Sequence, residues 1–252
     1  MSDFNLTIDI GNSNIMFCLF FKKKIIKYHR VSSKINFETK YLDKLITNLN
    51  KGLKNYIVTI SSVVEDKNCL FKSYFASNNV KCIFVDKFFK RFKINTFIKN
   101  KSEIGSDRLV NVIYSLSNIP LPTLILDFGT ATTIDYLNVK GVYEGGVILP
   151  GIDLSLKSLN ISTSKLPLVK FQKTKKIIGN TTKSAIKSGF YWGYVSMING
   201  LISKISKEKI TKPNVVVTGG NSNFFKSEIK KVYLYDEFFI MKGLNFIGKK
   251  CC

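Results

Sequence analysis

The stretch Leu6-Thr7-Ile8-Asp9-Ile10-Gly11-Asn12-Ser13 returns, about half a chain later, as Leu124-Ile125-Leu126-Asp127-Phe128-Gly129-Thr130-Ala131-Thr132-Thr133. In both, an apolar run ends in Asp-x-Gly, and small hydroxyl or amide residues follow. More strand-like sequence comes after each turn, Ile15 to Phe21 in the first copy and Thr133 to Val139 in the second. Each copy therefore reads as a β-hairpin with Asp at the strand end and Gly at its tip. A motif repeated at this spacing predicts two similar halves.

Outward from the hairpins, each half parses as mixed α/β. The first continues with a helix-like stretch from Tyr41 to Leu53, the buried strand Ile57-Val58-Thr59-Ile60-Ser61-Ser62, a further helix-like stretch and the strand Cys82-Ile83-Phe84-Val85. The second continues with Gly145-Gly146-Val147-Ile148, helical stretches near Leu154 and from Ser184 to Ser203, and the strand Val215-Val216-Val217-Thr218. Helices alternate with strands throughout, so the expected class is α/β. A helix from Leu109 to Leu116 runs into Pro120 and Pro122, which puts the boundary between lobes 1–118 and 119–252 there.

Composition narrows the function classes. A content of 45% hydrophobic against 22% charged residues excludes a disordered chain. The longest apolar run, Ile15 to Phe21, is far below the roughly 18 to 20 residues of a membrane helix, so no membrane partner is expected. Met1-Ser2-Asp3 opens no secretory signal. Cysteines at 18, 69, 82, 251 and 252 form no Cys-x-x-Cys pair and have only His29 to join them, which argues against a zinc site or a disulfide framework and for a reducing cytoplasm. The adjacent Cys251 and Cys252 read as an exposed tail rather than a lipidation signal.

A formal charge of +22 is the usual footprint of a nucleic-acid partner. Here the basic residues are almost all Lys; only Arg30, Arg91 and Arg108 offer the bidentate fork that reads guanine edges. The densest stretch, Lys87-Phe88-Phe89-Lys90-Arg91-Phe92-Lys93, alternates in the manner of a half-buried strand. Nucleic acid is accordingly not the expected partner.

The motifs carry more specific chemistry. A glycine turn at a strand end lets phosphate oxygens approach backbone N–H groups, while the neighbouring carboxylate can hold a cation. Two copies suggest a nucleotide clamped between two lobes. Thr218-Gly219-Gly220-Asn221-Ser222 ends another strand in paired glycines, which permits flat approach by an adenosine or simply a turn. At Gly105-Ser106-Asp107-Arg108 an Asp stands at a helix start, where it can cap or carry chemistry. An Arg beside it, in a chain of lysines, is suited to gripping a carboxylate, and Asp107 could accept a proton from a hydroxyl on the same molecule.

Taken in order, these segments resemble type III pantothenate kinases, members of the acetate and sugar kinase, heat-shock protein and actin superfamily. Asp9-Ile-Gly-Asn-Ser-Asn14 resembles the first phosphate loop, Ser61-Ser-Val-Val64 the Ser-Ser-Val-Val-Pro segment, and Gly105-Ser-Asp-Arg108 the Gly-x-Asp-Arg motif. Asp127-Phe-Gly-Thr-Ala-Thr-Thr133 is similar to the second phosphate loop, Gly145 to Gly151 to the Gly-Gly-x-Ile-x-Pro-Gly segment, Gly179-Asn-Thr-Thr182 to the Gly-x-Asn-Thr helix start, and Thr218-Gly219-Gly220 to the adenosine motif. The resemblance implies two ribonuclease-H-like, actin-like ATPase lobes with a nucleotide cleft between them. It further implies ATP-dependent phosphorylation of pantothenate to 4'-phosphopantothenate, with magnesium and a monovalent cation, potassium or ammonium, in a homodimer.

By position the resemblance makes Asp107 the general base and Gly105, Ser106, Asp107, Arg108 and Thr182 the pantothenate site. Asp9, Ile10, Gly11, Asn12, Ser13, Asn14, Ile15, Met16 and Thr130 fall on the ATP site, and Asp127 on the monovalent cation. Three positions depart from the pattern: Glu65 stands for the usual Pro, Thr181 for the usual Asn, and Ile98 for a Tyr that contacts pantothenate in many members. The rival reading is a non-catalytic nucleotide-binding regulator of the same fold. Retention of Asp9, Asp107, Arg108 and Asp127 favours the enzyme.

Overall fold

The computed structural model describes residues 2–35, 37–53, 55–85 and 91–251. Two compact units form: Met1–Asn118 together with Phe238–Cys252, and Ile119–Glu237.

In the first unit β1 (Phe4–Ile10), β2 (Asn14–Phe21) and β3 (Lys24–Ser32) make an antiparallel meander. Next come α1 (Thr39–Asn50), β4 (Ile57–Ser62), α2 (Glu65–Ser77), β5 (Cys82–Phe84) and α3 (Ser106–Asn118). Strands β4 and β5 run parallel to β1, and the sheet order is β3-β2-β1-β4-β5. Alternation along β1 sends Leu6, Ile8 and Ile10 to one face, against Leu42, Leu45, Ile46 and Leu49 of α1 and Phe71 and Phe75 of α2. The α1 residues recur at the spacing of one helical face, which is why that segment is a helix at all. Glu65 opens α2, a position where Pro is favoured and where a carboxylate meets the positive helix end, so this departure keeps the local structure.

The second unit repeats the plan with β6 (Thr123–Phe128), β7 (Ala131–Leu137) and β8 (Tyr143–Pro150) antiparallel, followed by α4 (Ile152–Ile161), α5 (Thr182–Glu208), β9 (Asn214–Thr218) and β10 (Val232–Tyr235). Its sheet order, β10-β9-β6-β7-β8, is that of the first read from the other edge. Leu124, Leu126 and Phe128 pack with Tyr191, Tyr194, Val195, Ile198 and Phe225; the rings of Phe128 and Phe225 stack at 4.7 Å.

The last helix, α6 (Phe239–Cys251), corrects the expected boundary, because it belongs to the first unit and not to a lobe ending at 252. Buried amides and a hydroxyl explain the attachment. Thr59 donates to Asn5 Oδ1 at 3.2 Å, Asn5 Nδ2 donates to Asn245 Oδ1 at 3.2 Å, and Asn245 Nδ2 donates to the Lys22 carbonyl at 2.9 Å. A Cβ at Gly248 would stand 2.3 Å from Thr59 Oγ1, so the close approach of helix to sheet depends on that glycine. Cys251 is buried within α6 rather than exposed in a tail, while Cys252 lies outside the described residues. Of the basic aromatic stretch, residues 87–90 also lie outside them; Arg91, Phe92 and Lys93 form a turn, with Lys93 at φ 46°, and not a strand. Among the described residues no helix is long and apolar enough to cross a membrane.

Candidate active site

In the first unit the polar end of the sheet gathers three segments. Asp9, near the end of β1, is half-buried and stands in register with Met16 of β2 and Ser61 of β4. Gly11 N–H donates to the Asn14 carbonyl at 3.0 Å and closes the turn. Ser33, just beyond β3, straps that turn from outside: its hydroxyl donates to the Gly11 carbonyl at 2.5 Å and its N–H to the Ser13 carbonyl at 2.9 Å. Asn12, Ser13 and Asn14 are exposed, whereas Ile10, Ile15 and Met16 are buried. Those three expected ATP residues have core side chains and lie in strands paired on both sides, so the part of the segment open to a ligand is the exposed turn at Asn12, Ser13 and Asn14.

The second segment leaves β4. Val63 N–H donates to the Ile10 carbonyl at 3.0 Å, which ties residues 61–64 to the Asp9 loop. The third is the start of α3. Asp107 lies in the first turn, where the helix end favours negative charge, and its Oδ1 accepts the Arg108 N–H at 2.8 Å. Asp107 and Arg108 are both half-buried. A Cβ at Gly105 would fall 2.6 Å from Asp107 Oδ1, so glycine there leaves the carboxylate its room. Ser106 differs from its neighbours: its hydroxyl turns inward, donating to the Ser62 carbonyl at 2.8 Å and lying 3.0 Å from Ser61 Oγ.

The second unit gathers a matching set. Asp127 of β6 is in register with Thr133 of β7 and Thr218 of β9. Gly129 N–H donates to the Ala131 carbonyl at 3.1 Å, and Gly151 N–H to the Thr130 carbonyl at 3.1 Å. Gly219 has φ +92°, and a Cβ there would lie 2.5 Å from both Asp127 Oδ1 and Phe128 N. Beside the carboxylate, Thr218 Oγ1 is buried without a hydrogen-bond partner. Carboxylate and hydroxyl are hard oxygen donors of the kind that potassium or magnesium takes. Among the described residues no group of three or more His, Cys, Asp or Glu could hold a metal by itself.

Thr182 belongs to neither set. It is the first residue of α5, whose cap is Thr181: Thr181 Oγ1 accepts the Ser184 N–H at 3.2 Å, and Ser184 Oγ accepts the Thr181 N–H at 2.9 Å. Thr caps a helix much as Asn does, so the departure at 181 is structurally mild. A depression of about 400 Å³ adjoins it, lined in part by Thr174, Lys176, Gly179, Thr181, Lys183 and Lys187. The sequence reading missed these lysines because a lysine-rich chain gives them no contrast, and it missed Ser33 because no motif marks a strap. Ile98 is half-buried, and its N–H is bound by Thr96 Oγ1 at 3.1 Å.

This doubled sheet with a glycine-opened loop in each half is the actin-like two-lobed fold. A Campylobacter jejuni protein classed with the Baf family of transcriptional activators shares the fold, at a TM-score of 0.63 with 22% identity over 98% of both chains. The family model for type III pantothenate kinase matches residues 5–204. Type III pantothenate kinases from Pelagibacter ubique, 38% identical over 94% of this chain and 95% of that protein, and Persephonella marina, 35% identical over 95% and 96%, are similar nearly end to end. The chain belongs to the type III pantothenate kinase family.

Proposed function

We propose that this enzyme transfers the γ-phosphoryl group of ATP to the primary hydroxyl of pantothenate, giving 4'-phosphopantothenate and ADP, the first step toward coenzyme A. The observation that carries the reading is the Asp107–Arg108 pair, anchored through Ser106 to the strand end that also holds the Asp9 loop, in a chain of this family. Asp107 takes the proton as the hydroxyl oxygen bonds to the γ-phosphorus and the bond to the ADP oxygen breaks. Arg108 binds the substrate carboxylate through two parallel N–H groups, with Gly105 and the Ser106 main chain beside it, and Thr182 is assigned to pantothenate by its place in the family motif.

Within the Asp9 to Met16 segment the exposed turn at Asn12, Ser13 and Asn14 is the part assigned to the ATP phosphates, with Thr130 as a further phosphate residue, as suits glycine-opened turns. Asp127 and Thr218 would hold the monovalent ion. Magnesium on the nucleotide and potassium or ammonium at Asp127 would supply positive charge against the crowded phosphates. The regulator reading is not favoured, because relatives with this name cover the chain nearly end to end. We also propose a homodimer, supported by exposed Ile148, Leu154, Ile161, Leu168, Ile177 and Ile178 in the second unit, apolar side chains that a second copy would cover. A reducing cytoplasm suits the free thiols of Cys18, Cys69 and Cys82.

The test is ADP release coupled to a chromogenic reporter, with ATP and magnesium, with and without pantothenate, in potassium and in sodium buffer. Pantothenate-dependent turnover that falls severalfold in sodium is expected. No dependence on pantothenate would overturn the reading, and equal rates in the two buffers would remove Asp127 from the monovalent ion.

A further inference from the structure

We infer that Ser61 and Ser106 form a hydroxyl latch that sets the position of Asp107, which makes Ser106 a positioning residue. The inference rests on the reading of Asp107 as general base.

The geometry begins with a missing cap. Gly105 precedes α3 and accepts the Leu109 N–H at 3.0 Å, so it occupies the position where a Ser, Thr, Asp or Asn side chain would ordinarily anchor the first turn. It has no side chain to do so, and a Cβ there, 2.6 Å from Asp107 Oδ1, would push the carboxylate from its place. The anchor moves one residue on. Ser106 is 6% exposed and Ser61 fully buried, so neither hydroxyl has water to fall back on.

Each hydroxyl has a single proton, and that settles the direction of the chain. Ser106 spends its proton on the Ser62 carbonyl, so Ser61 must donate across the 3.0 Å between the two oxygens. The next residue, Val63, donates to Ile10 in the Asp9 loop. Three consecutive residues at the end of β4 thus hold the base-bearing helix on one side and the phosphate loop on the other. A base must stand within a fraction of an ångström of its productive place, which makes the latch a means of registering proton acceptor against phosphate.

The proton order predicts an asymmetry. Ser106→Ala strands both the Ser61 hydroxyl and the Ser62 carbonyl, whereas Ser61→Ala leaves the Ser106 to Ser62 bond in place. Expected results are a kcat drop of at least about tenfold for Ser106→Ala and a smaller drop for Ser61→Ala, with the ATP KM nearly unchanged in both. Ser106→Thr, which keeps the hydroxyl, should recover most of the rate.

A merely structural role is separated by repeating the changes in the Asp107→Asn background. If the latch acts through the carboxylate, Ser106→Ala should not lower the residual rate further. A drop by the same factor in both backgrounds, or an unchanged kcat for both alanine variants, overturns the inference while leaving Asp107 as the base. Near-normal turnover in Asp107→Asn itself overturns the base assignment and the latch together. Should Ser106→Ala fail to fold, Ser61→Ala carries the same comparison with less disturbance.

Discussion

Ser33 and Gly151 occupy the same place in the two halves, the first residue beyond the third strand, and both tie down an Asp-x-Gly loop. The first does so with a hydroxyl and an N–H, the second with an N–H alone. A Cβ at Gly151 would lie 2.2 Å from the Thr130 carbonyl oxygen and 2.7 Å from that of Gly129, so backbone there runs against backbone. The parallel neighbour repeats the contrast: Val63 N–H reaches Ile10 directly after Ser61 and Ser62, whereas Asn221 N–H reaches Phe128 at 3.3 Å only after the positive-φ turn at Gly219. One topology has thus been given two kinds of loop, one to whose backbone ties a side-chain hydroxyl is added and one in which only glycine fits.

The helices after the fifth strands diverge as well. Helix α3 opens with Ser106, Asp107 and Arg108, whereas α6 opens with buried Phe239, Ile240 and Met241. The largest expected effect follows from that difference. Asp107→Asn should fold, bind nucleotide and lose turnover on the order of 10² to 10⁴, the usual cost of removing a general base. Single-turnover kinetics check it, and near-normal rates would make the two helix starts equivalent after all.

Next in size is Gly151→Ala, expected to destabilise by roughly 2 to 3 kcal/mol because the methyl group meets carbonyl oxygens that cannot rotate away. Denaturant unfolding measures it; a neutral result would erase the distinction between the two loops. Arg108→Lys should raise the pantothenate KM by about tenfold, roughly 1.4 kcal/mol, with the ATP constant nearly unchanged, since an ammonium is a point charge where the carboxylate wants a fork. If both constants rise together, Arg108 supports the unit and the carboxylate is bound elsewhere. Smallest is Ser33→Ala, about 1 kcal/mol for one side-chain hydrogen bond, with its backbone tie intact. Thermal unfolding of Ser33→Ala beside Gly151→Ala then gives the contrast as a single difference.

Much of this was legible because duplication and alternation are local signals. The repeated Asp-x-Gly runs located both hairpins, Pro120 and Pro122 lie at the junction between units, and Ile57–Ser62 is a strand of the expected extent. Strand β3 escaped notice because it is an edge, with Lys24, Lys27, His29 and Arg30 exposed along it, so no buried face imprints a period. The inward turn of Ser106 was equally hidden, since a serine at a helix start carries the same letters whether it faces ligand or strand. The seating of α6 depends on Asn5, Thr59 and Asn245, partners far apart in the chain that no window of sequence brings together.

That seating bears on how the molecule is made. During synthesis residues 1–118 emerge first, but the sheet face carrying Asn5 and Thr59 waits for Asn245 and Gly248, which follow the whole of the second unit. Until then its amides and hydroxyls are solvated and its apolar neighbours uncovered, the condition in which a nascent chain is open to aggregation and to chaperones. The second unit, continuous from 119 to 237, has no such delay. Translation order and completion order are therefore opposed: the half that leaves the ribosome first is the half that finishes last.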